Sequence, residues 1–137
     1  RYQVLMQNNK PIANQWNFDA QNRESLEPSV TFIEPPQFLP DSTTQEVIKL
    51  VEEKFSHHPG SLADFFWPVT SLQAEKMFDH FLDFRLAQFG RYQDAMTPKH
   101  PFIFHSLLSS SLNLKLISPW SIIQKTQAKL KENSNLL

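Results

Sequence analysis

The chain has 137 residues, with 13 Lys and Arg against 14 Asp and Glu and a formal net charge of −1. That length admits one domain with a modest core, or two incomplete pieces of something larger. The near-neutral balance excludes a global basic field for nucleic acid, so any DNA contact has to be local. The lack of cysteine excludes disulfides, thiolate catalysis and cysteine-ligated zinc or iron–sulfur sites within these residues.

With 12 Phe and 3 Trp but 2 Gly and 10 Pro, the composition points to packed helices joined by stiff, Pro-marked connections. No apolar run reaches the roughly 18 residues of a membrane span, and RYQVLMQNNK lacks the apolar stretch of a secretory signal. A soluble, cytoplasmic protein without a membrane partner is the expectation. The chain opens at Arg1 with Tyr2, Leu5 and Met6 on one side of an apparent helical pattern, which predicts a short helix continuing from a longer protein. Irregular chain follows, ending in NQWNFDAQNR.

From Glu24 to Asp41, ESLEPSVTFIEPPQFLPD carries four prolines and reads as an extended linker. Its apolar residues Val30, Phe32, Ile33, Phe38 and Leu39 predict that it wraps along a neighbouring surface. A helix is predicted next over 43–55, capped at Asp41-Ser42, with Val47, Ile48, Leu50, Val51 and Phe55 as its apolar positions. Thr70 and Gln73 stand in capping-box spacing before a second amphipathic helix over 71–86, closed by Gly90. Arg91 to Pro101 reads as loop, Phe102 to Pro119 as a short buried helix, and Ser118-Pro119 opens a final helix to about Glu132. No alternating strand stands out, so the predicted class is mainly α.

Several groups invite a chemical reading that the spacing does not support. His57-His58 are adjacent, point in different directions and lack a carboxylate to complete a metal shell, so a surface loop is the simpler account. Asp79, His80 and Asp83 read as solvated helix surface. Phe65, Phe66, Trp67, Phe78, Phe81, Phe84 and Phe89 recur at helical spacing and read as core rather than as a stacking platform. No phosphate-binding glycine motif is present, and no catalytic residue is assigned.

FIFHSLLSSSLNLKLISP is the informative stretch: His105, Ser106, Ser109, Ser110 and Ser111 interrupt an apolar run that has no charge before Lys115. Buried hydroxyls need partners. Either Ser106 or Ser109 caps a helix and the other serines bond back to the preceding turn, or the hydroxyls and free N–H groups of a helix start hold a phosphate or pyrophosphate. The residues by themselves leave both open.

HSLLSSSLNLKLISP resembles the flavin-binding stretch of photolyases and cryptochromes, of the form Thr-Ser-x-Leu-Ser-Pro-Tyr-Leu followed shortly by Leu-Ser-Pro. His105 stands at the Thr position, and Ser106, Leu108, Ser109 and Leu112 match. KPIANQWNFDAQNR and FFWPVTSLQAEKMFDHFLDFRLAQFGRYQDAM, in order with that stretch, are similar to the bacterial photolyase-related proteins of the iron–sulfur branch, in which the Trp16–Arg23 pattern closes an α/β antenna domain. Three departures stand out: Ser110-Ser111 for Pro-Tyr, Lys115 for Gly, and Asn14-Gln15 for Gly-Gly.

The resemblance implies a fragment: residues 1–23 as the tail of the antenna domain, 24–41 as the Pro-rich interdomain linker, and 42–137 as the first part of a helical FAD-binding domain. It implies FAD held by Tyr92, His105, Ser106, Leu107, Leu108 and Ser109. It further implies a full-length parent in which light-excited reduced FAD repairs pyrimidine lesions in damaged DNA, of the (6-4) type, with a 4Fe-4S cluster and an antenna chromophore whose ligands lie outside this chain. A light-sensing cryptochrome-like protein without repair, and a helical interaction module without cofactor, are the alternatives. The 137 residues alone are expected to be inactive, to hold little FAD and to self-associate through apolar faces left without neighbours.

Overall fold

A computed structural model describes residues 4–12 and 14–133 of the chain. The fold is mainly α. Among the described residues five helices, α1 (Ser42–Phe55), α2 (Ser71–Phe84), α3 (Leu86–Phe89), α4 (Ser109–Asn113) and α5 (Pro119–Glu132), follow a two-stranded hairpin of β1 (Met6–Gln7) and β2 (Lys10–Pro11).

That hairpin replaces the predicted opening helix. Asn8 and Asn9 sit between the strands with φ of 50° and 58°, Gln7 pairs antiparallel with Lys10, and the Ile12 N–H donates to the Leu5 carbonyl at 2.9 Å. Asparagine tolerates left-handed backbone, and two such residues in a row make a hairpin turn that overrides the apolar spacing of Leu5 and Met6. Tyr2, the first residue of the predicted helical side, lies outside the described residues. The motif Trp16 to Arg23 then forms a 3₁₀ turn at Asp19–Gln21, with Trp16 and Phe18 exposed.

The segment 24–41 is extended and lies on the protein. Leu26, Val30 and Phe32 pack against a small core of Tyr92, Ile103 and Phe104, and Pro35 is buried. The Phe32 ring lies 4.3 Å from that of His100 and 5.5 Å from that of Phe104. Farther on, the Phe38 N–H donates to the Phe66 carbonyl at 3.2 Å and its ring joins the main core. Arg91 clamps the start of the strap, pairing with the carboxylates of Glu24 and Glu27.

α1 begins where the Asp41 carboxylate accepts the Thr44 N–H at 2.8 Å. None of its residues is buried, and Val47, Leu50 and Phe55 remain about half exposed. α2 carries the capping box in full: Thr70 Oγ1 accepts the Gln73 N–H, and Gln73 Oε1 accepts the N–H groups of Val69 and Thr70. Its buried stripe, Ala74, Met77, Phe78, Phe81 and Leu82, meets Leu108 and Ile117 to form the main core. Burying side chains of this size stabilises by about 1.5–3 kcal/mol each. α5, capped by Ser118 and opened by Pro119, lies along α2. There Lys125 pairs with Glu75 (3.3 Å) and Asp79 (2.9 Å), and Lys129 pairs with Asp83.

α2 stops two residues short of the predicted end. Arg85 leaves helical geometry with φ −125°, and α3 starts at the next residue. Gly90 does not terminate the pair by a left-handed turn, because its φ and ψ of −59° and −49° are ordinary helical values. At the break Arg85 is buried, 1% exposed.

Candidate functional site

The serine segment approaches α4 through backbone that few side chains favour. Ile103 and Leu107 have φ of 43° and 60°, and the His105 N–H closes a turn onto the Phe102 carbonyl at 3.0 Å. Left-handed backbone at a branched residue is strained and persists only where surrounding contacts over-determine it. Those contacts are visible: Ile103 and Phe104 are buried in the small core, and Leu108 in the main one. Leu108 is the residue before the first turn of α4, and no side chain among the described residues caps that turn. Neither Ser106 nor Ser109 therefore acts as the cap that one reading of the sequence allows. Ser111 is fully buried, and its Oγ has no hydrogen-bond partner among the described residues.

At its other end α4 closes in a regular way. The Leu116 N–H donates to the Ser111 carbonyl (2.9 Å) and the Lys115 N–H to the Leu112 carbonyl (3.2 Å), with Lys115 at φ 61° between them. This paired return is the Schellman ending, which favours glycine at the left-handed position. The Gly that the photolyase pattern carries at Lys115 thus has a backbone reason.

An open cleft of about 550 Å³ lies beside the segment, lined on one side by His105, Ser106, Leu107, Leu108 and Ser109 and on the other by Phe89, Gln93 and Asp94. Ligand pockets of roughly 300–1,000 Å³ are the usual range. Five of the six residues expected to hold a cofactor are brought together here. Tyr92 is placed apart, 1% exposed, with its ring stacked 5.6 Å from Phe104 and 5.0 Å beneath the Arg91 guanidinium. Its hydroxyl has no partner among the described residues.

The far wall is fixed by the N-terminal motif. The Asp94 N–H donates to the Asn22 carbonyl at 3.1 Å, the Asn22 side chain meets Gln93 at 3.3 Å, and the Arg23 guanidinium pairs with the Asp94 carboxylate at 3.5 Å. Behind the near wall stands Arg85, whose Nη1 donates to the His105 carbonyl at 2.9 Å and whose other terminal nitrogen lies 3.8 Å from the Met77 sulfur. Burial lowers its pKa from the ordinary arginine value, and the guanidinium remains charged at neutral pH. The same charge, after burial itself, depresses His80.

Sequence reasoning missed Arg85, Gln93 and Asp94, while Phe89, read as core, both packs against the main core and lines the cleft. For Arg85 a signal existed: it stands seven residues after Phe78 and three after Leu82, on the apolar stripe of α2, where a charge is out of place. His57 and His58 stay on the surface, rings 4.6 Å apart, and no group of metal-ligating residues forms among the described residues. No helix there is long and apolar enough to cross a membrane.

Comparison with known proteins points to the same family. Residues 1–67 match the family described as deoxyribodipyrimidine photo-lyase-related protein. Over 129 residues, 94% of this chain, the sequence is 36% identical to a (6-4) photolyase of Agrobacterium fabrum (strain C58 / ATCC 33970). Over nearly its whole length the chain is thus similar to a photolyase. It spans about a quarter of the length of that relative, 25%. The matched portion contains the strap, α1 to α4 and both walls of the cleft.

Proposed function

We propose that this chain is the part of a photolyase-related flavoprotein that grips the diphosphate of FAD, and that the longer protein repairs pyrimidine lesions of the (6-4) type in damaged DNA. Residues 1–23 then end an antenna domain, 24–41 link it across, and 42–137 begin the FAD-binding domain. The observation that carries the reading is the convergence of His105, Ser106 and Ser109 on one cleft beside a helix start that no side chain among the described residues caps. Hydroxyl donors and open backbone N–H groups suit phosphate oxygens, and the one carboxylate on the far wall, Asp94, is held by Arg23. The residues present therefore fit the phosphate end of the cofactor.

When bound and reduced, FAD excited by light supplies the electron that splits the lesion. The chain's own residues bind and orient. Ser106 and Ser109 donate to phosphate oxygens, His105 and Leu107 shape the rim, and Leu108 ties the segment to the core. Tyr92 contributes through the small core behind the cleft, or by moving its unpaired hydroxyl toward the cofactor. The chain has no cysteine, so thiolates for an iron–sulfur cluster would come from residues other than these.

Replacing Ser106 and Ser109 together by Ala in the longer protein tests the reading. Hydrogen bonds to charged groups contribute about 1.5–3 kcal/mol each, so the pair should weaken FAD binding by about a hundredfold or more. The flavin-to-protein ratio after gel filtration, read by absorbance, should fall toward zero while the circular dichroism spectrum is retained. Stoichiometric flavin in the double variant would overturn the assignment. A wild-type protein that purifies without flavin and accepts none would favour the helical interaction module.

A further inference from the structure

Arg85 is 1% exposed, and no carboxylate forms an ion pair with it among the described residues. Its Nε has no hydrogen-bond partner there. The other interactions of the guanidinium are weak ones: a thioether at 3.8 Å and the Phe81 ring with its centroid at 5.9 Å. A buried cation without an anion is costly, and such groups persist where the charge serves a purpose or a counter-ion arrives from elsewhere. The one strong bond it makes is to the His105 carbonyl, at 2.9 Å. That carbonyl belongs to the first residue of the cleft wall, two positions before the left-handed Leu107 and one before Ser106.

We propose that Arg85 is a positioning residue for an anionic ligand in this cleft: it ties down the strained turn that presents Ser106 and Ser109, and it places an uncompensated positive charge behind the wall. Two effects follow from one side chain. Anchoring the His105 carbonyl fixes the direction of the next peptide groups, so the hydroxyls need no reordering when a phosphate arrives. The charge acts through low-dielectric surroundings, where it is screened less than a surface cation would be. A neutral ligand of similar size gains little from the second effect, so the cleft discriminates by charge.

The inference rests on reading the cleft as a diphosphate site, and the test separates the two. In the longer protein stripped of flavin, dissociation constants are measured for FAD and for riboflavin, which shares the isoalloxazine ring but has no phosphate. The wild type should prefer FAD strongly. In Arg85→Gln, which keeps a donor but loses the charge, the preference should fall by about 10- to 100-fold, the range for losing one charged hydrogen-bonding group. Riboflavin binding should stay within about threefold of wild type, a margin well inside one tenfold step. Arg85→Lys, which keeps the charge, should restore most of the preference. Equal losses for both ligands in Arg85→Gln would show a purely structural role and overturn the inference, as would an unchanged preference. If Arg85→Gln does not fold, Arg85→Lys decides: a preserved preference supports the role of the charge, and a collapsed one overturns it. A wild type that binds riboflavin as tightly as FAD overturns the diphosphate reading and this inference with it.

Discussion

Lys115→Gly should make the protein more stable although it removes a side chain and a charge. Lys115 occupies the left-handed position of the return after α4, at φ 61°, and both of the returning hydrogen bonds, from Lys115 and Leu116, depend on that geometry. Holding an L-residue there costs about 1–2 kcal/mol, while glycine adds about 0.5–1 kcal/mol of entropy to the unfolded chain. The difference is a net gain of about 0.5–1 kcal/mol, which for a chain of this size corresponds to a rise of about 2–4 °C in midpoint. Lys115 is exposed, so its aliphatic stem contributes little packing that would be lost. Thermal unfolding followed by circular dichroism gives the readout, with Lys115→Ala as the control. Ala also removes the charge but keeps the Cβ, so it should be no more stable than the wild type. If Ala stabilises as much as Gly, the effect comes from the charge and the backbone argument is wrong.

Three further outcomes follow from the caps and the strap. Thr70→Ala should cost about 1 kcal/mol of stability by urea unfolding, and Thr70→Ser much less, because only the hydroxyl serves the Gln73 N–H; equal losses would show that the methyl group carries the effect. Asp41 has its pKa lowered from 3.8, first by the backbone bond from Thr44 and then by the Thr44 side chain. The stability it contributes is therefore present above the unfolded-state pKa and lost as pH falls through the lower folded-state value. Asp41→Asn should flatten that part of the thermal midpoint between about pH 5 and about pH 2, and an unchanged acid slope would remove Asp41 from the account. Arg91→Ala releases Glu24 and Glu27, so limited proteolysis within 24–41 should run at least about threefold faster under native conditions. Cleavage at the wild-type rate would mean that Phe32 and Phe38 hold the strap without the clamp.

The parts of the fold that sequence makes legible are those set by neighbours in the chain. The Thr70–Gln73 box, the Asp41 and Ser118 caps and the apolar stripe of α2 involve residues three or four apart, and each lies where the periodicity places it. The wrapping of 24–41 was legible for a similar reason, since a Pro-rich segment with exposed aromatics has few alternatives to lying on a surface. What failed was decided locally by asparagine or remotely by burial. Asn8-Asn9 carried a turn signal that the apolar spacing of Leu5 and Met6 obscured. α2 ends at Phe84, beside the buried Arg85, and nothing in the local sequence marks that position.

The cleft shows the same division. Motif order could place His105, Ser106 and Ser109 on one segment, but their presentation follows from contacts distant in sequence: Arg85 on His105 across 20 residues, and Asn22 on Gln93 across 71. Ile103, Leu107 and Lys115 all take left-handed backbone within this one stretch without a glycine among them. A segment with that much unfavourable backbone cannot set its own shape. It is held from outside, by Phe104 and Leu108 in two separate cores and by a buried guanidinium between them. Substitutions that loosen those anchors should therefore disturb the serine wall before they unfold α2, because the strained turn is the first element to relax when its constraints weaken.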